Sequence, residues 1–152
     1  MTAIAYIRRE TFVSILINTG LSGLFFLAVF GRSGPVPVWG AGGYVFDFGP
    51  QGFMIGLMAT LVPGVLARKA MRLGRLSTLD GHARLPRGLV LRAMLCGLAG
   101  AVAGMAIAAA LLAVAGVAML AWWPAFLVKL VFGAMLAAIV THAGLKTELV
   151  SR

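Results

Sequence analysis

AMLCGLAGAVAGMAIAAALLAVAGVAMLAWWPAFLV, residues 93–128, contains 36 consecutive residues without a charge. A membrane-spanning helix needs only about 20 apolar residues, and a loop of this composition would leave its backbone groups unsatisfied in lipid. The stretch is therefore expected to cross the membrane twice. We place the turn near Gly116, because the following Trp122 and Trp123 suit a membrane interface and Pro124 suits the first turn of a helix.

Two more uncharged runs, residues 11–30 and 48–67, are each long enough to span a membrane. The first is long for the apolar part of a signal peptide, and no small-residue cleavage site follows it, so we expect a retained anchor. A mean hydropathy of +1.01 agrees with this class. The sequence thus predicts an all-α polytopic membrane protein, residues 1–152 forming one integral domain, with four spans near residues 11–30, 50–67, 93–115 and 120–144.

The basic residues predict the orientation of these spans. They lie before the first span, between the second and third, and after the fourth: Arg8, Arg9, Arg68, Lys69, Arg72, Arg75, Arg84, Arg87, Arg92, Lys146 and Arg152. Because cytoplasmic segments are enriched in Lys and Arg, both termini and the basic loop 68–92 are expected in the cytoplasm of a bacterium, inside its inner (plasma) membrane. The loop 31–49, rich in Gly, Pro and aromatic residues, is then external.

The net charge of +9 has the same origin. In a soluble chain it would indicate nucleic-acid binding, but here the positive-inside rule accounts for it. We expect no nucleic-acid partner. The basic loop is instead expected to contact anionic lipid, at about 1 kcal/mol per basic residue near the surface.

Small residues recur at every fourth position of the predicted spans, which is typical of closely packed membrane helices. The clearest members are Gly52, Gly56, Thr60, Gly64, Gly100, Gly104 and Gly133. These rows predict a four-helix bundle and association with further copies or with another membrane protein. Pro63 interrupts the second span and is a candidate hinge, because it removes a backbone donor and crowds the carbonyl of Ala59.

Lys129 is the candidate functional residue, because a charge within a span usually faces a partner, a cavity or an interface. Three arrangements stay open: Lys129 pairs with Asp47 from the second span, it snorkels to the outer headgroups, or Asp47 pairs with Arg32. Asn18 is a further buried polar candidate, too far along its span to share a compact site with Lys129. It could extend a polar path or make an interhelical hydrogen bond.

Catalytic and metal-binding patterns are not found in the sequence. His82 and His142 have no Cys or carboxylate at ligand spacing, and the glycines at 40–43 lack the residues of a phosphate-binding loop. We therefore expect neither an enzyme nor a cofactor. Two functions remain: an oligomeric transporter or channel-type component for a small polar or anionic solute, or a non-catalytic accessory or assembly subunit that binds another membrane protein through its small-residue faces.

Overall fold

The computed structural model describes residues 2–82 and 85–150, and this part of the chain forms four long α-helices. They are α1 (Ala3–Phe30), α2 (Tyr44–Arg72), α3 (Leu89–Val114) and α4 (Trp122–Leu149). All four are long and apolar enough to span a membrane. The prediction of an all-α protein with four apolar spans is confirmed, and this is the architecture of an integral membrane protein.

Each helix extends past its predicted span on the side of the basic residues, whereas near Gly116 α3 ends one residue earlier and α4 begins two residues later than predicted. Helix α2 begins at Tyr44, so Asp47 and Pro50 lie inside it, and the connection from α1 covers residues 31–43 instead of 31–49. Arg68 and Arg92 likewise lie within α2 and α3, which reduces the basic loop to residues 73–88. Helix bounds differ from the predicted span bounds because charge marks where an apolar span ends, whereas the backbone hydrogen bonds of a helix continue past it. Arg84 and Arg152 lie outside the described residues.

The helices pack in the order α1, α4, α2, α3 across the bundle. The inner helices α2 and α4 contact each other. Helix α3 packs against α2, and α1 packs against α4, so each inner helix contacts an outer helix from the other half of the chain (α1 with α2 is the first half, α3 with α4 the second). Two short strands join the same halves, because β1 (Val36–Pro37) pairs antiparallel with β2 (Met119–Leu120). The two halves are thus interlocked at the end of the bundle that carries the strands, which we call the ribbon end.

Glycines allow α2 and α3 to approach closely. A Cβ atom added to Gly52 would collide with the carbonyl of Gly100, and one added to Gly56 would collide with the carbonyl of Cys96. On the other side of the bundle, a Cβ atom at Gly133 of α4 would overlap the hydroxyl of Ser22 in α1. The α2–α3 contacts place backbone against backbone, so substitution there would have to separate the helices.

The remaining predicted packing residues also lie inside the bundle. Gly64 of α2 faces the side chain of Leu89, 2.5 Å from where its Cβ would be, and Gly104 of α3 faces the Phe132 ring at 2.8 Å. Thr60 is buried and donates to the carbonyl of Gly56 at 2.8 Å. The rows of small residues are therefore used within this one chain, while large apolar side chains cover the outer faces of α1 and α3.

Candidate functional site

An ion pair joins the two inner helices near the ribbon end. The Nζ atom of Lys129 donates to Oδ2 of Asp47 at 2.7 Å. The Lys129 side chain is 0% exposed and that of Asp47 is 7% exposed. Of the three arrangements considered for these residues, the structure contains the Asp47–Lys129 pair, and Arg32 is exposed.

The register of α2 against α4 brings the two charges together. The hydroxyl of Tyr44 donates to the carbonyl of Ala125 at 2.8 Å, linking the first turns of the two helices. Asp47 and Lys129 each follow about one helical turn later, and both helices run in the same direction from the ribbon end. Residues three or four apart share a helix face, so the tyrosine contact and the ion pair lie on one interface.

Aromatic rings enclose the ammonium group of Lys129. Its Nζ atom lies 3.7 Å from the centroid of the Phe48 ring and 5.1 Å from that of Tyr44. Phe132 packs edge-on against Phe48, with 4.8 Å between the ring centroids. A desolvated cation over an aromatic face gains about 2 kcal/mol. The ammonium is therefore held by one carboxylate and two rings, out of contact with solvent.

Buried polar side chains continue from the ion pair toward the opposite end of the bundle. Gln51 lies one turn after Asp47 in α2 and donates to the hydroxyl of Ser22 at 2.8 Å. Asn18, one turn away from Ser22 in α1, donates to the carbonyl of Ser14 at 2.8 Å and to its hydroxyl at 3.3 Å. Asn18 forms no hydrogen bond with the ion pair. Gln51 and Ser22 lie between them.

The next group of polar side chains is built around the proline of α2. Pro63 has no N–H with which to bond the carbonyl of Ala59, and the hydroxyl of Thr141 donates to that carbonyl at 3.1 Å. The Thr141 and Ser14 hydroxyls are 2.7 Å apart. Because Thr141 has a single hydroxyl hydrogen, Ser14 supplies the hydrogen of that second contact. The Thr141 side chain of α4 thus satisfies the acceptor that Pro63 leaves free, and Ser14 of α1 hydrogen-bonds to Thr141.

We call this series the polar column: Asp47, Lys129, Gln51, Ser22, Asn18, Ser14 and Thr141. It lies between α1, α2 and α4 and all its members are buried. The segment of α2 beside it, from Asp47 to Thr60, is about 20 Å long at about 1.5 Å per residue. Successive groups are separated by about one helical turn. The column therefore extends through much of a hydrocarbon layer roughly 30 Å thick.

A second cluster of charges lies where α2 and α4 end and α3 begins, which we call the basic end. Glu148 accepts from Nε of Arg68 at 2.5 Å and also pairs with Arg92. The Arg92 side chain is 1% exposed, and its Nη1 atom donates to the carbonyl of Pro86 at 3.0 Å. From the sequence, these arginines were expected to set the membrane orientation and to contact anionic lipid, and no ion pair with Glu148 was predicted. An isolated acidic residue among so many basic ones was the available clue.

Side chains of the types that bind metal ions lie far apart in the described part of the chain. Within residues 2–82 and 85–150, no group of three or more His, Cys, Asp and Glu residues could hold a metal ion. Comparison of the chain with protein-family models, with curated proteins and with solved structures gives no match. The chemistry of the two charged clusters and the polar column is therefore the basis for a functional proposal.

Proposed function

We propose that this protein is a small transport or channel-type component for a small polar or anionic solute. The observation that carries the proposal is the buried Lys129–Asp47 pair. Apolar residues of similar size often stabilise a protein as well as a buried ion pair does, so stability alone gives little reason for placing these charges there. Ionisable groups within membrane spans commonly mark pathways for ions or substrates.

Lys129 and Asp47 have complementary roles in the proposed mechanism. An incoming anion replaces the Asp47 carboxylate as partner of the ammonium, and Asp47 neutralises Lys129 again once the solute has left. Gln51, Ser22 and Asn18 supply the next hydrogen-bonding groups along the polar column. In the structure Lys129 is closed to solvent, which corresponds to an occluded state of such a cycle.

Pro63 is the proposed hinge for leaving that occluded state. The carbonyl of Ala59 is bonded by the Thr141 side chain in place of a backbone N–H. A side-chain bond of this kind can break without unwinding α2, so this helix can bend more easily here than at a complete turn. Bending of α2 would move Asp47 relative to Lys129, because both helices contribute to the pair.

The arrangement in the membrane is also part of the proposal. The basic end faces the cytoplasm of a bacterial inner membrane, as the positive-inside rule requires, and both termini lie on that side. Copies of the chain associate through the apolar outer faces of α1 and α3. The glycine rows support close packing within each copy, and self-association gives the solute path walls that four helices supply only in part.

The second candidate function is an accessory subunit of another membrane protein. It is favoured by the complete burial of Lys129, because a closed pair also serves as a structural link between α2 and α4. In that case the partner contacts the large apolar residues on the outside of the bundle, since the glycine rows are occupied within the chain.

Anion flux into proteoliposomes distinguishes these functions. Swelling is followed by light scattering in the potassium salts of nitrate, acetate and phosphate, with valinomycin present to balance charge. The variants are Lys129→Met with Asp47→Leu, which removes both charges together, and Gly20→Ala as control, because a Cβ atom there meets nothing within 4 Å. We expect at least tenfold faster swelling than in protein-free vesicles for wild type and control, and background rates for the double variant.

Two results would count against transport. One is a wild-type rate equal to that of protein-free vesicles in all three salts. The other is an unchanged rate in a double variant that is shown to be folded by circular dichroism. Either result would favour the accessory subunit, and crosslinking to neighbouring membrane proteins would then become the informative experiment.

A further inference from the structure

A cleft of about 440 Å³ opens at the basic end of the bundle, between the end of α2, the start of α3 and the end of α4. Its charged lining residues are Arg68, Arg72, Arg87, Arg92 and Glu148. Four guanidinium groups against one carboxylate leave an excess of three positive charges (4 − 1). The cleft is separated from the Lys129–Asp47 pair by most of the length of α2, so it is a distinct site.

The arginines of the cleft fall into two groups. Arg68 and Arg92 are held by Glu148. Arg72 and Arg87 are exposed at the rim, and within the described part of the chain neither forms an ion pair. Two fixed guanidinium groups thus lie beside two that are free to bind an anion.

Arg92 has a buried hydrogen-bond donor for which the described protein supplies no acceptor. Its side chain is 1% exposed and its Nη atoms are bonded to Glu148 and to the carbonyl of Pro86. The Nε atom is buried and has no hydrogen-bond partner. Buried polar groups nearly always have partners, so an unpartnered donor of a charged side chain in the lining of a cleft indicates an external acceptor.

We propose that this cleft binds a phosphate group, carried either by the headgroup of an anionic phospholipid or by a small soluble molecule. Phosphate presents several oxygens to the paired N–H donors of guanidinium groups. The excess of positive charge attracts a doubly charged phosphomonoester more strongly than a singly charged carboxylate, although Glu148 repels both. This inference does not depend on the proposed transport function, because it uses none of the residues of the polar column.

Native mass spectrometry of the full chain in a neutral detergent tests the proposal. Phosphatidic acid, which carries a phosphomonoester, is compared with phosphatidylcholine of the same acyl chains, and inorganic phosphate is tested separately by calorimetry. The test variant is Arg72→Gln with Arg87→Gln, which leaves the buried Arg92–Glu148 pair intact. The matched control is Arg8→Gln with Lys69→Gln, which removes two exposed charges from residues that do not line this cleft.

We expect wild type to prefer phosphatidic acid, and the test variant to bind it at least tenfold more weakly, which corresponds to about 1.4 kcal/mol. The control should change by less than twofold. Binding of phosphatidic acid alone would identify a lipid headgroup as the source of the phosphate, and binding of inorganic phosphate as well would identify a soluble ligand. Equal weakening in both variants, or no binding of either probe by wild type, would overturn the proposal.

Discussion

Removing Lys129 and Asp47 singly and together is the perturbation whose outcome the structure defines most sharply. The two side chains are 2.7 Å apart and nearly inaccessible to solvent. At an effective dielectric constant of about 20 their attraction is about 6 kcal/mol, and desolvating each ion costs several kcal/mol. The net contribution of the pair to stability is therefore expected to be close to zero, although each charge depends strongly on the other.

The single and double variants should consequently behave very differently. Lys129→Met leaves a buried carboxylate without its counter-charge, and Asp47→Leu leaves a buried ammonium that retains only the Phe48 and Tyr44 rings. Each should lower the free energy of unfolding by about 3–5 kcal/mol. The double variant should lie within about 1 kcal/mol of wild type, which gives a coupling energy of several kcal/mol.

The assay is unfolding in mixed micelles by titration with sodium dodecyl sulfate, followed by circular dichroism and by tryptophan fluorescence. Both signals must give the same midpoint for the free energies to be comparable. Single variants that lose less than about 1 kcal/mol would show that the charges are not buried together. A double variant as unstable as the sum of the singles would refute the direct pairing of the two residues.

Three further substitutions test the packing and the basic end by the same unfolding titration. Gly56→Ala should destabilise the bundle by about 1–3 kcal/mol, because the added Cβ collides with a backbone carbonyl. The control Gly20→Ala should be neutral or slightly stabilising, and equal effects of the two substitutions would contradict the α2–α3 contact. Glu148→Gln should lower the free energy of unfolding by about 3–5 kcal/mol, because it leaves a buried arginine without its ion-pair partner. Asp80→Asn, at an exposed position, is its control, and matching unfolding curves of the two variants would argue against the charged cluster. Tyr44→Phe should lose about 1 kcal/mol with the hydrogen bond between α2 and α4, and an unchanged midpoint would show that this bond does not set the helix register.

The membrane class and the number of spans were readable from the sequence. The apolar runs are nearly as long as a bilayer is thick, and lipid forces every such segment to satisfy its backbone internally, so residues 93–128 had to form two helices. The ends of the helices were less readable. Asp47 and Arg92 were assigned to loops because they are charged, but both lie within hydrogen-bonded helical turns.

Among the polar residues, the sequence likewise identified those that are unusual in their local surroundings, but not those whose partners lie far away in the chain. Lys129 and Asp47 were identifiable as candidates because each is an isolated charge near or within an apolar span. Gln51 was not predictable as a member of the polar column, since an uncharged amide at the start of a span is common in sequences. The role of Glu148 was not predictable, because its arginine partners are 56 and 80 residues away in the chain.

The sequence by itself determined that four apolar helices form, because span length and hydropathy are properties of consecutive residues. Only the tertiary structure decided that α2 and α4 lie side by side, that the two halves interlock, and that Asp47 faces Lys129. Those outcomes depend on which helix faces can approach most closely. In an apolar environment, backbone contact at glycines and hydrogen bonds between distant side chains decide that choice. The period of the glycines marks a packing face on each helix, but it does not say which other helix that face meets.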